Sequence, residues 1–232
     1  MINARPKVLA IIPARKGSKR LPGKNHKKFN GKSLIKWTIE SAINSQYISH
    51  IVLSSNDDVV LQIGSSYKEI SCLNRSNELS GDHISSAAVV LDVLESFEGF
   101  DYFILLQPTS PLRNHNHIDE ALITTFEKNA KSCVSLCKSK ESPYLMYKIS
   151  SANNVRPILQ NKKIRNMRTQ DMPITYILNG AIYINQITDF LQKKEFINQD
   201  SIAFIMDSNS SVDIDTIEDF NLAEKIISKI SN

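Results

Sequence analysis

At 232 residues and 26.2 kDa, with 41% hydrophobic and 22% charged residues, the chain is long enough for one substantial core with at most a small appended lobe, and its composition excludes a disordered or membrane-embedded chain. The net charge of +4 supports no claim about nucleic acid by itself, but it is unevenly spread. Nine basic residues and no acidic one lie between Arg15 and Lys36, so the overall +4 less these nine leaves −5 for the rest, a concentration that suits a small polyanion held at one place.

The polar segment Met1 to Lys7 leads into the apolar run Val8–Ile12, which is too short for a signal-peptide core. No apolar run approaches a membrane span, and the three cysteines (Cys72, Cys133, Cys137) lack CxxC spacing. The expectation is a cytoplasmic protein with reduced, buried thiols and no membrane partner.

In chain order, Lys7–Pro13 is a continuous β-branched and apolar run, as expected of a strand buried on both faces of a parallel sheet. After a basic loop, Ser33–Ser45 carries helical periodicity through Leu34, Trp37, Ile39 and Ile43, and His50–Ser55 returns to strand character. The pattern then predicts helix over 57–67, strand over 70–74, helix over 85–97, strand over 102–107, helix over 117–128 and strand over 132–137. Such alternation means an α/β fold with a doubly wound, mostly parallel sheet in a single domain, residues 1–232.

Residues 139–171 are polar, with short apolar runs at Tyr144–Ile149 and Val155–Leu159, and read as a small β-rich extension. Strands at 181–184 and 203–206 and an amphipathic helix over 217–230 close the chain. In such sheets ligands bind beyond the carboxyl ends of the strands, so the informative residues are those just after them.

The loop after the first strand, Pro13 to Asn25, places Gly17 and Gly23 where backbone amides approach phosphate, with Arg15, Lys19 and Lys24 as fixed positive charge. It matches neither GxxxxGK[ST] nor GxGxxG. The competing view is a solvated basic loop that touches nucleic acid. Near the other end, Asp213 and Asp215 in Val-Asp-Ile-Asp-Thr share one face of an extended segment, with Val212 and Ile214 on the other. Two carboxylates suit magnesium, which completes its shell with water and phosphate oxygens; alternatively Asp215 or Thr216 starts the last helix as its cap. His115 and His117 lack further ligands and receive no role, and Trp37 reads as core.

Five segments, IIPARKGSKRLPGKN (11–25), RSNELSGDHISS (75–86), LLQPTSPLR (105–113), NGAIYI (179–184) and SVDIDT (211–216), resemble in order those of the CMP-sialic acid synthetase (N-acylneuraminate cytidylyltransferase) family, which includes CMP-legionaminic acid synthetase-like members. The resemblance spans nearly the whole chain. It implies transfer of CMP from CTP to the anomeric hydroxyl of an acidic nine-carbon keto-acid sugar, with pyrophosphate released and Mg2+ required.

It further implies CTP contacts from Arg15, Ser18, Lys19, Lys24, Asn25, Arg75 and Ser86, and sugar contacts from Gln107, Tyr176, Asn179 and Gly180. Arg168 is the candidate for the sugar carboxylate, which calls for a cation. Lys24, Arg15, Asp213 and Asp215 would be catalytic, the two aspartates as metal ligands. The family is usually a homodimer, and 139–171 is the segment that would reach the partner.

For Ser86 the alternative is a helix-start role. The match is weakest in the middle, where Tyr144 and Leu145 follow Pro143 in place of a basic residue, and where Arg156 and Arg165 both compete as a second arginine. Alternative acceptors are legionaminic acid and an eight-carbon 3-deoxy-octulosonic acid. The rival from another class is a non-enzymatic nucleic-acid-binding protein, disfavoured because the basic loop lacks interleaved aromatics.

Overall fold

The computed structural model describes residues 5–230; the first four residues of the polar N-terminal segment and the last two of the chain lie outside the described residues. β1 (Val8–Ala14) leads through the basic loop to a hairpin of β2 (Lys28–Phe29) and β3 (Lys32–Ser33), then to α1 (Leu34–Ile43) and β4 (His50–Ser55). Next come α2 (Asp58–Gly64), β5 (Ile70–Asn74), α3 (Ser86–Ser96), β6 (Tyr102–Leu105), α4 (His115–Glu127) and β7 (Ser132–Lys138). An arm follows with β8 (Tyr147–Ile149), β9 (Val155–Pro157) and α5 (Lys162–Arg165), and the chain finishes with β10 (Tyr176–Gln186), α6 (Ile187–Lys193), β11 (Ile202–Met206) and α7 (Ile217–Ile230).

Among the described residues the main sheet has seven strands in the order β11-β7-β10-β6-β1-β4-β5. β1 pairs in parallel with β4 and β6, β4 with β5, and β7 with β11. β10 is antiparallel to both β6 and β7. Its direction follows from the connection: no full crossover helix separates β7 from β10, so the chain returns as a hairpin, with Tyr176 opposite Lys138 and the arm projecting from its tip. The expected strand at 181–184 is therefore the far half of a longer one, interrupted by a register shift between Leu178 and Tyr183.

β1 is apolar throughout because both of its faces are covered. Val8, Ala10 and Ile12 pack with Ile35 and Ile39 of α1 and Ile118 and Leu122 of α4, while Leu9 and Ile11 pack with Val90 and Val93 of α3 and Phe190 of α6. Cys133 is buried in the first of these layers, but Cys72 on the edge strand β5 is exposed, which corrects the expectation of three buried thiols. No helix among the described residues is long and apolar enough to cross a membrane.

Two features of the fold hold the loop after β1. The β2–β3 hairpin, absent from the sequence-based expectation, turns on Asn30 and Gly31 with φ of 40° and 91°, the two positive values that a tight two-residue turn requires. It delivers Phe29 into a third apolar cluster with Leu21, Leu34, Ile214 and Phe220, against which Trp37 and Val212 pack. Phe29 meets Trp37 and Phe220 edge-on at 5.8 and 5.4 Å between ring centres, and the Trp37 indole N–H donates to the Phe29 carbonyl.

This cluster ties residues near the start of the chain to those near its end. Phe29→Ala is expected to cost about 3 to 5 kcal/mol of stability, as for other buried phenylalanines. Chemical denaturation measures it, and a loss below about 1 kcal/mol would show that the cluster is not a true core.

Candidate active site

The strand order turns back at β1: β4 and β5 build outward on one side, and the chain then recrosses to place β6 on the other. Ligands of open α/β sheets bind outside the carboxyl ends of the strands at such a point. A cleft of about 430 Å³ lies there, lined by Pro13 and the basic loop, by the segment from Arg75 to Val89, by Gln107 to Thr109, and by Asp215.

The basic loop is set in place by neighbouring strand ends. The Ser55 hydroxyl donates to the Ala14 carbonyl (2.5 Å), the Asn56 side chain accepts from the Lys16 amide (2.8 Å), and the Asn25 side-chain amide donates to the Arg15 carbonyl (3.1 Å). Lys24, with its side chain only 12% exposed, donates through Nζ to the Ile214 carbonyl at 2.8 Å and to Asp215 Oδ1 at 3.2 Å. Arg20 reaches the other oxygen of Asp215 at 2.8 Å. Asp82 lies against Arg15 and Lys19, at 2.6 and 2.5 Å.

The carboxylate segment hangs between two supports. The Ile214 amide donates to the Thr109 carbonyl (2.8 Å), and Ile214 is buried in the third cluster. The start of α7 is capped by Thr216 and Asp219: the Thr216 hydroxyl accepts from the Asp219 amide and Asp219 Oδ2 accepts from the Thr216 amide. Asp215 is thus spared from capping, and its carboxylate lines the cleft.

Asp213 is solvent-exposed, yet the protein around it pushes its carboxyl above the ordinary value, the charge of Asp215 adding to this while the Thr109 hydroxyl and Lys24 oppose it. A carboxylate whose ionisation is made costlier by a second one beside it suits a hard divalent cation with phosphate oxygens as co-ligands.

On the opposite wall, Arg75 is 5% exposed and its guanidinium is fixed by the Ser54 hydroxyl (3.1 Å) and the Ser54 carbonyl (2.6 Å). Burial pulls it down to about 10, Asp92 opposing and Arg15 reinforcing the shift, so it stays charged at neutral pH. Ser85 takes the helix-start role by accepting from the Ala88 amide, which leaves Ser86 to line the cleft. Arg113, fully buried, donates to the Thr38 hydroxyl (2.9 Å) and lies 3.5 Å from the Gln107 carbonyl, beneath the loop that carries Gln107.

Of the residues singled out from sequence, Arg15, Ser18, Lys19, Lys24, Asn25, Arg75, Ser86, Gln107 and Asp215 line one cleft. Gly180 and Asp213 adjoin Gln107: a Cβ built on Gly180 would stand 3.2 Å from Gln107 Oε1 and 3.5 Å from Asp213 Oδ2. The remaining three are placed otherwise. Asn179 is buried with its amide bonded to Ser135 and Ser211, so it pins the irregular stretch of β10 and does not line the cleft. Arg168 and Tyr176 are exposed on the arm side, outside the cleft of the single chain, because the arm leaves the sheet at β7 and β10, not at β1. Arg20, Leu79 and Ile84 line the cleft, and Asp82 pairs with two of its cations, although sequence reasoning gave them no role; Arg20 carried a signal, being in the basic loop itself.

Similarity to known proteins extends over nearly the whole chain. The Cytidylyltransferase family model matches residues 9–229. The chain is 37% identical over 232 residues to the CMP-N,N'-diacetyllegionaminic acid synthase of Legionella pneumophila, covering 95% of this chain and 96% of that one. It is 35% identical over 229 residues to the N-acylneuraminate cytidylyltransferase of Escherichia coli O18:K1:H7, where 97% of this chain spans about half (53%) of the longer protein. A solved structure of a CMP:2-keto-3-deoxy-manno-octonic acid synthetase complexed with CTP superposes with a TM-score of 0.70 at 16% identity, covering 97% of this chain and 99% of that one.

The crowding at Gly180 is testable. Its φ of 72° disfavours any side chain, and an added methyl would press on Gln107. Gly180→Ala is expected to cost about 1 to 2 kcal/mol of stability and to shift Gln107. Thermal unfolding with a crystal structure of the variant checks both, and unaltered stability would mean that the backbone relaxes freely there.

Proposed function

Since the chain belongs to the cytidylyltransferase family, we propose that it transfers CMP from CTP to the anomeric hydroxyl of a sialic-acid-type nine-carbon keto-acid sugar, N-acetylneuraminate or a close relative, and releases pyrophosphate. The observation that carries this reading is the single cleft in which the basic loop faces the carboxylate segment, joined by Lys24 and Asp215. In it Arg15, Ser18, Lys19 and Lys24 hold the phosphates, and Asn25, Arg75 and Ser86 hold the nucleoside.

Gln107 extends toward the acceptor sugar beside Gly180; a neutral amide bonds hydroxyl and amide groups without charge bias. The sugar hydroxyl oxygen forms its bond to the α-phosphorus and gives up its proton to solvent as the bond to pyrophosphate breaks, and Lys24 and Arg15 offset the charge that grows on the leaving group. Asp213 and Asp215 are the residues that would hold magnesium, which when bound supplies positive charge to the phosphate oxygens. Most of the rate then comes from positioning and fixed electrostatics.

A legionaminic acid acceptor is the second reading, favoured by the Legionella relative's name and near full-length coverage. An eight-carbon acid stands third, through the fold likeness alone. Nucleic-acid binding is not favoured, because Arg15, Lys19, Arg20 and Lys24 gather at one cleft and each is paired with a carboxylate there. A cytoplasmic location is part of the proposal and fits three unpaired cysteines.

We also assign the arm to a homodimer contact. Ile149, Val155 and Ile174 are 70, 66 and 63% exposed on it, an apolar surface that suits burial against a second chain. Such a contact is also the route by which Arg168 and Tyr176 would meet a cleft, that of the partner.

Pyrophosphate release from CTP and magnesium, measured against a panel of nine- and eight-carbon keto-acid sugars, tests the activity; no release with any acceptor would refute it. Asp215→Ala and Lys24→Ala are each expected to fall by about a hundredfold or more at saturating CTP while remaining folded. Near wild-type turnover in either variant removes that residue from the mechanism. Light scattering is expected to give a dimer mass for the wild type and a monomer for Ile149→Asp, and a monomeric wild type would sink the dimer.

A further inference from the structure

Arg15 and Lys19 have a second occupant available within the chain. The segment between β5 and α3 forms the wall of the cleft opposite the basic loop, through Leu79, Gly81 and Ile84, with Arg75 and Ser86 at its ends. From this wall Asp82 reaches across: its Oδ1 accepts from Arg15 Nη1 at 2.6 Å and its Oδ2 lies 2.5 Å from Lys19 Nζ. One carboxylate thus spans two cations from residues 67 positions away in the case of Arg15. Hydrogen bonding to Lys19 and then to Arg15 holds the Asp82 carboxyl below the ordinary carboxylate range, so it is ionised at neutral pH.

These two cations cannot serve Asp82 and a phosphate together without placing like charges side by side, and the carboxylate oxygens use the same donors that phosphate oxygens need. Neighbouring cations differ. Lys24 is nearly enclosed and bonded to a backbone carbonyl as well as to Asp215, whereas Asp82, Arg15 and Lys19 are all accessible and free to exchange partners.

We propose that Asp82 is a built-in competitor for the pyrophosphate end of the nucleotide: its carboxylate bridges Arg15 and Lys19, yields them when the β- and γ-phosphates bind, and retakes them as pyrophosphate leaves. The residue thereby weakens binding of the polyanion and hastens departure of the product. This rests on the proposed reading of the cleft as a triphosphate site, but the bridge itself concerns any pyrophosphate-like anion.

Asp82→Asn keeps the shape of an accessible side chain and removes its charge. Isothermal titration of the full chain with inorganic pyrophosphate, without divalent cations, is expected to show affinity raised about fivefold over wild type, the scale of exposed ion pairs of this kind. The gain shrinks as salt rises. CTP is expected to gain similarly and CMP, which lacks the pyrophosphate, less than twofold; in turnover assays pyrophosphate becomes a stronger product inhibitor of the variant. Unchanged or weakened pyrophosphate affinity in Asp82→Asn overturns the proposal, as does an equal gain for CMP or a failure of both proteins to bind pyrophosphate. If pyrophosphate behaves as expected while neither protein binds CTP, the competition stands and the nucleotide reading falls.

Discussion

The contact on which the site depends is that of Lys24 with the segment Ile214–Asp215. It joins positions 190 and 191 residues apart, and its ammonium is held by a backbone carbonyl as well as a carboxylate. A charge-assisted hydrogen bond from a nearly enclosed lysine contributes on the order of 1.5 to 3 kcal/mol, which alone would not fix two mobile segments. The apolar cluster beneath does the rest: Leu21 from the basic loop and Ile214 from the carboxylate segment are packed into one small core with Phe29 and Phe220. Polar geometry above is therefore set by apolar packing below.

The charges of the cleft are paired in an orderly way. Two cations face Asp82 across the mouth and two face Asp215 at its far side. A protein that gathers four cations in one loop must limit their mutual repulsion, and opposing carboxylates from distant segments do so while leaving the donors accessible. The arrangement also explains how a chain with a modest net charge gathers four cations at one cleft.

Much of this was legible in the sequence because periodic patterns report burial, and burial on two faces is what β1, β4 and β6 experience. The boundaries of β4 and β5 follow directly from their residues. The direction of β10 was not legible, since a strand covered on both faces reads the same whichever way it runs. The β2–β3 strands are too short to show alternation, although the Asn30-Gly31 pair is itself a turn signal.

At the site, residues clustered in sequence were found where expected, whereas Asp82 acquires meaning only when its loop is seen to face Arg15. Asn179, a sugar contact by the family resemblance, is buried with its side chain bonded to Ser135, Ser211 and the irregular backbone of β10, a setting that the sequence does not display. Arg168 and Tyr176 lie exposed on the arm side, outside the cleft of this chain, a separation that no local pattern encodes.

The junction between the two ends of the chain also bears on how the molecule comes into being. Strands β1, β4, β5 and β6 can pair while the later residues are still being made, but the small aromatic core around Phe29 has no Phe220 until α7 has left the ribosome. Closing so long a loop is entropically slow, and local pairing precedes it. Chemical competence therefore waits on the segment that leads into α7, and until then a nascent chain displays Arg20 and Lys24 without the Asp215 that later restrains them.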